Sequence, residues 1–358
     1  MAFLLISFLG CNGSSIMKKI PTSAVETNTV LPKVFLGARS SCVLSGPRDL
    51  KCWGLILNNV NLLEPTSMTT LTDIYPIKEL ATGTTHSCLL TTQGNVKCWN
   101  YNLTLPPEDV SGVESGVSKI SGFYDHFCAL LSSGRLKCWK YDSQNSAVVS
   151  DVKVNAVTVI SDVKDVVVGN HTSCAILNDG KLMCWGYLGD SVNAEFATEI
   201  PLSNVTSVSV GGKGFCALLA SGEVKCMGEY PGLGGDENDP NTVWDSGTSI
   251  TPVGLDSGVV AISSGYNFRC ALLSSGVVKC WGYVGTGELG NNIMDWHGQM
   301  GPGQVANLSE AINLTSSSNH SCVVIDKTTL KCWGDNSHGQ IGNNSTSDGV
   351  PSPFEIKF

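Results

Sequence analysis

Residues Cys270 to Gly282 read CALLSSGVVKCWG, two cysteines ten positions apart with a turn midway between them. The same module recurs as CVLSGPRDLKCWG from Cys42, CLLTTQGNVKCWN from Cys88, CALLSSGRLKCWK from Cys128, CAILNDGKLMCWG from Cys174, CALLASGEVKCMG from Cys216 and CVVIDKTTLKCWG from Cys322. The pairs are Cys42 with Cys52, Cys88 with Cys98, Cys128 with Cys138, Cys174 with Cys184, Cys216 with Cys226, Cys270 with Cys280 and Cys322 with Cys332. In the copy at Cys128, an apolar run enters Ser132, Ser133 and Gly134 and a second alternating run leaves it, which is the pattern of a β-hairpin. That register sets Leu130 opposite Leu136 and Cys128 opposite Cys138. Directly opposed residues on antiparallel strands bring their Cβ atoms near disulfide distance, so the geometry permits a cross-strand bridge. The competing reading is a set of reduced, buried cysteines acting as small hydrophobes. A four-ligand zinc site does not fit two cysteines per hairpin. Each bridge would add roughly 2–3 kcal/mol on the chain-entropy estimate. Cysteines and leucines share one hairpin face, and Ala129, Lys137 and Trp139 share the other. Two largely apolar faces suit a sheet packed between two neighbouring sheets.

The first cysteines of successive modules lie 46, 40, 46, 42, 54 and 52 residues apart, the period of a four-stranded propeller blade. Ahead of most modules runs another apolar strand ending in Gly, such as KVFLG, KELATG, KISG and DVVVG, with Ser317 where the seventh copy would carry Gly. Before that strand several repeats hold one more short segment, such as ITPVGL at Ile250 to Leu255, which reads as the outer strand. The first repeat lacks a clear counterpart, and the chain ends in PFEIKF at Pro353 to Phe358. The expectation is that this C-terminal strand closes the ring by completing the blade begun near Val34. Closure removes exposed sheet edges.

The pattern of apolar strand, Gly, a short loop often holding His, then C-A-L-L-x-x-G-x-V-x-C-W-G resembles the regulator-of-chromosome-condensation repeat. The trailing text survives as GELG at Gly287 to Gly290 and GQIG at Gly339 to Gly342. The resemblance covers about residues 33–358 and implies an all-β, seven-bladed β-propeller. Cysteines paired in every blade resemble the bacterial exported branch of that family.

The chain has 358 residues, 15 cysteines, a formal net charge of −9 and only 15% charged residues. An acidic balance without Lys/Arg runs excludes a nucleic-acid surface. The start, MAFLLISFLGCNGSS, holds an apolar run ending at Gly10 and Cys11, the one cysteine outside the seven pairs. That resembles a bacterial lipoprotein signal, with Cys11 as the lipidated residue. A secretory leader and a plain apolar terminus are the alternatives. The expected organisation is a signal-like segment at 1–11, a Ser/Thr/Asn/Lys-rich tether at 12–32 and the propeller at 33–358. Either export reading agrees with disulfides and an oxidising compartment. The cell envelope is then the expected location, lipid-anchored or secreted, with the cytoplasm as the alternative if the thiols are reduced.

His86, His126, His171 and His320 precede hairpin cysteines at related positions, which the family pattern uses structurally; no metal or other cofactor is expected. The acidic run Asp236, Glu237, Asn238, Asp239 lacks the spacing of a calcium loop. Sequons such as Asn102, Asn170 and Asn313 matter only in a glycosylating host. No nucleophile elbow, P-loop or HExxH motif occurs. The candidate contact residues are therefore those of the loops entering the hairpins and of the long links: Arg39, His86, Tyr124, His126, Lys213, Tyr266, Arg269, Trp244 and Trp296. Trp53, Trp99, Trp139, Trp185, Trp281 and Trp333 repeat too strictly for contact and are assigned to inter-blade packing. The leading expectation is a monomeric, non-enzymatic surface protein that binds a protein or glycan, with inhibition of a secreted enzyme as one form. Resemblance to the nuclear members implies an alternative, guanine-nucleotide exchange on a small GTPase. An enzyme using the channel mouth is the third.

Overall fold

The computed structural model describes residues 31–57, 60–73, 75–100, 107–113, 115–124, 126–141, 147–153, 158–188, 193–212, 214–228, 251–282, 285–294 and 299–358. Leu31 to Phe358 form one compact unit. Within it the strands assemble into seven antiparallel sheets, one per repeat. The only described helix is the single turn Thr69–Thr72. The sequence expectations for residues 1–30, Cys11 included, fall outside the described residues.

Each sheet is built from one contiguous piece of chain. In the third, the inner strand Val117–Phe123 pairs with His126–Leu131, which pairs with Leu136–Tyr141, which pairs with Ala147–Asp151 on the outside. The hairpin register is the one expected, with Cys128 facing Cys138 and Leu130 facing Leu136. All seven cysteine pairs face one another in this way and are bridged, with Cα separations of 4.0–4.1 Å.

Two expectations about the outer strand are corrected. It follows its hairpin instead of preceding the inner strand: Val60–Ser67 completes the first blade, and residues 251–255 are a turn whose Leu255 is buried. The C-terminal strand Ser347–Lys357 pairs with Thr329–Asn336 inside the seventh blade and contributes nothing to the sheet of the first. The first blade already has four strands, all from its own stretch of chain.

Closure comes from packing. The cysteine face of each blade meets the Ala/Trp face of the next, giving seven separate inter-blade cores. Cys128, Leu130, Leu136 and Cys138 pack on Val166, Ala175 and Met183 of the fourth blade. Cys322, Val324, Leu330 and Cys332 of the last blade pack on Val43 and Trp53 of the first in the same manner. The ring thus ends on the contact that it repeats.

The GxxG text has a physical role at these seams. Gly290 and Gly342, each at positive φ, leave room for the indole of the following blade, and a Cβ on either would come within 2.8 Å of Nε1 of Trp333 or Trp53. Trp333 Nε1 donates to the Glu288 carbonyl and Trp53 Nε1 to the Gln340 carbonyl, both at 2.8 Å. Where the text is blurred, Nε1 of Trp139 and Trp281 is buried without a partner among the described residues.

Candidate functional site

The loop between the inner strand and the hairpin lies on the same side of the ring in every blade, so the repeat itself gathers Arg39, Tyr124 and Tyr266 at one end of the channel. Backbone hydrogen bonds tie neighbouring loops into a collar. Thr84 N–H donates to the Tyr124 carbonyl at 2.8 Å, Gly212 N–H to the Tyr266 carbonyl at 2.8 Å, and Tyr266 N–H to the Ser318 carbonyl at 2.6 Å. Gly83 makes the first of these approaches possible, because a Cβ there would sit 1.5 Å from the Tyr124 carbonyl oxygen.

Tyr124 belongs to the third blade and Tyr266 to the sixth, yet their ring centroids are 6.3 Å apart. The two side chains therefore lean toward one another across the mouth. Tyr124 is 36% exposed and holds φ at 54°, an uncommon conformation for a bulky residue. Local strain of this kind concentrates at functional positions. Partial burial raises the Tyr124 phenol, the neighbouring Tyr266 raises it further, and the positive charge of Arg39 acts in the opposite sense. Arg39 also helps burial to hold the His338 imidazole below its ordinary value. His338 sits in the loop before GQIG and was not singled out by sequence; nothing repeats there to mark it.

The remaining sequence candidates separate. His86 is buried, its Nδ1 within 2.8 Å of the Thr85 hydroxyl and its ring stacked on Tyr141 at 3.7 Å, so it packs a seam. His126 is mostly enclosed, and burial aided by Lys140 lowers its imidazole to about 4. Arg269 is 3% exposed and lies beneath the collar. His86 and His126 stand two positions before a cysteine and share its face of the hairpin, whereas Arg269 stands one before and takes the other; a strand packed on both faces thus withdraws all three from the open surface that the sequence reading gave them. Lys213, Trp244 and Trp296 lie outside the described residues, as does the acidic run at 236–239.

Ligand atoms of His126, Cys128 and Cys138 lie within 4.8 Å of one another, the one metal-type grouping among the described residues. Both sulfurs are held in the disulfide, which leaves no thiolate to coordinate. The inner strands of the first, second, third and seventh blades line an open cavity of about 370 Å³ bordered by Lys33, Glu79, Lys119 and Thr315. Its charges are engaged: Glu79 accepts from the Ile120 N–H, Lys119 pairs with Asp165, and Lys33 donates to the Lys78 carbonyl. At the collar, the recess between Arg39 and His86 measures only about 20 Å³, the size of one water.

The family model described as the regulator of chromosome condensation (RCC1) repeat matches residues 163–190. Among solved structures, Prp20p of Saccharomyces cerevisiae superposes with a TM-score of 0.69 at 18% identity, over 88% of this chain and 87% of that one. Human WBSCR16 gives 0.65 at 19% identity over 81% and 86%. The ectodomain of the Arabidopsis thaliana receptor kinase ACR4 gives 0.52 at 17% identity over 85% and 94%. At these identities the likeness is one of fold.

Proposed function

We propose, from a chain that folds as a seven-bladed propeller of the RCC1-repeat kind, that it is a non-catalytic binding protein whose contact surface is the collar around Tyr124, Tyr266 and Arg39. The observation that carries this reading is the strained, exposed Tyr124 meeting Tyr266 over the channel, with a cation beside them. Aromatic residues and arginine at the centre of a surface are the residue types that dominate protein interfaces. Prp20p, whose structure was determined together with its binding to Gsp1p and histones, supports the use of such propellers for protein partners. Seven bridged cysteine pairs fit an oxidising compartment, where the cell envelope is our proposed location, with Cys11 as a lipid anchor.

The test is site-specific photocrosslinking in the native cells, with the photoreactive residue at Tyr124 and, on the opposite face, at Ser133. A discrete protein adduct from position 124 alone supports the collar. Adducts from position 133 alone, or from neither position, refute it. Nucleotide exchange on a small GTPase, the alternative, requires reduced thiols in the cytosol and is measured directly by fluorescent-nucleotide release.

A further inference from the structure

The sheet register puts one residue of each inner strand at the same level of the channel. Lys33, Glu79, Lys119 and Asp165 of the first four blades each stand opposite the apolar residue two places after the first hairpin cysteine, and Ser207, Ala261 and Asn313 take that position in the other three. Charge therefore alternates in sign over the first four blades. Such a row offers two ion pairs, and only Lys119 with Asp165 forms. Lys33 donates instead to the Lys78 carbonyl at 3.2 Å, and Glu79 accepts from the Ile120 N–H at 3.2 Å. Those backbone partners fix the direction of both side chains and supply no counter-charge. Neither group makes an ion pair among the described residues. Both border the open cavity of about 370 Å³, Lys33 exposed and Glu79 partly buried, so a molecule entering from solvent reaches them.

We infer that this cavity binds a free α-amino acid, its carboxylate on the Lys33 ammonium and its ammonium on the Glu79 carboxylate. Opposite charges that face one cavity without meeting are complementary to a ligand that carries both. Each keeps capacity for it, because an ammonium has three N–H donors and a carboxylate two oxygens, and the backbone occupies one of each. The volume falls in the range of roughly 300–1,000 Å³ that small-molecule sites occupy. Strand alternation sets the next level of the wall: Phe35 shares a face with Lys33, Ala81 with Glu79 and Thr315 with Asn313, and all six border the cavity. Phe35 and Ala81 suit an apolar side chain on the ligand, and Asn313 and Thr315 add polar groups on the blade next to Lys33. A peptide terminus presents only one of the two charges and matches half of the site. This site goes beyond the collar surface, since a small zwitterion binds it whether or not a protein engages Tyr124.

The experiment is an amide NMR titration of the full chain with L-phenylalanine. The amides of Ala81 and Gly122, on the cavity wall, are expected to shift saturably, and the Kd is expected to rise about tenfold or more in Lys33→Met and in Glu79→Gln. Two analogues probe the natural chain itself and keep the test decisive should a variant not fold: phenylpropionate lacks the ammonium, and phenethylamine lacks the carboxylate. Each is expected to bind about tenfold or more weakly than L-phenylalanine. No saturable shift up to about 10 mM L-phenylalanine, an unchanged Kd in either folded variant, or equal affinity for either analogue overturns the site. None of these results bears on crosslinking at Tyr124, so the two readings fail separately.

Discussion

Lowering the pH from 7 to 5 strikes the ring at the seam between its last and first blades. His320 is fully buried there, with Nε2 within 2.9 Å of the Ser41 hydroxyl. Ser41 gives its proton to the Gln340 carbonyl at 2.8 Å, so Nε2 must be the protonated nitrogen that donates to Ser41. Nδ1 is left as a bare acceptor without a partner. Protonating it would place an unpaired charge in the core, and burial accordingly lowers the imidazole from 6.5 to about 3. The unfolded chain takes up a proton near pH 6.5 while the folded one does not, so stability is full above that value and is lost as pH falls toward 3. Between pH 7 and pH 5 linkage gives a loss of about 2 kcal/mol for this residue. His126, lowered to about 4, adds a similar loss over the same interval. Urea unfolding at both pH values, for the natural chain and for His320→Gln, measures it. The variant is expected to lose about half of the pH dependence. Equal pH dependence in the two proteins would refute the assignment of a neutral, buried His320.

Trp53→Ala removes a fully buried indole from the closing seam and is expected to cost about 3–5 kcal/mol, read from the urea midpoint. The same change at the half-buried Trp185 is expected to cost clearly less, and a reversed order would contradict closure by packing. Gly83→Ala drives a methyl into the backbone of the neighbouring loop, with an expected cost of about 1–3 kcal/mol and weaker crosslinking from Tyr124. An unchanged urea midpoint would show that the collar is looser than described.

The hairpins were legible because each copy repeats its cysteine spacing, and a spacing of ten around a short turn leaves one register. The family of inter-blade cores follows from it, since a strand apolar on both faces needs two neighbours. The outer strands were not legible. Val60–Ser67, Asn193–Ile200 and Ser347–Lys357 share no common text, and their partial exposure relaxes any demand for a repeating apolar pattern. A segment preceding the inner strand was therefore as good a candidate as one following the hairpin. Equivalence between repeats placed Arg39, Tyr124 and Tyr266 on one side. Sequence did not show that residues three blades apart would meet, because that depends on how far the side chains lean over the channel. Nor did it show that Arg269 is enclosed. Its neighbour Cys270 marks the hairpin in every blade, and the alternation that buries Cys270 on one side buries Arg269 against the other blade.

The most direct test of a disulfide-stapled propeller is the intact mass of protein recovered from its native cells, alkylated with and without prior reduction. The seven pairs from Cys42–Cys52 to Cys322–Cys332 are predicted to take up reagent only after reduction, giving fourteen additions. Fourteen additions without reductant would contradict the bridges, and with them the oxidising compartment and the surface role built on it.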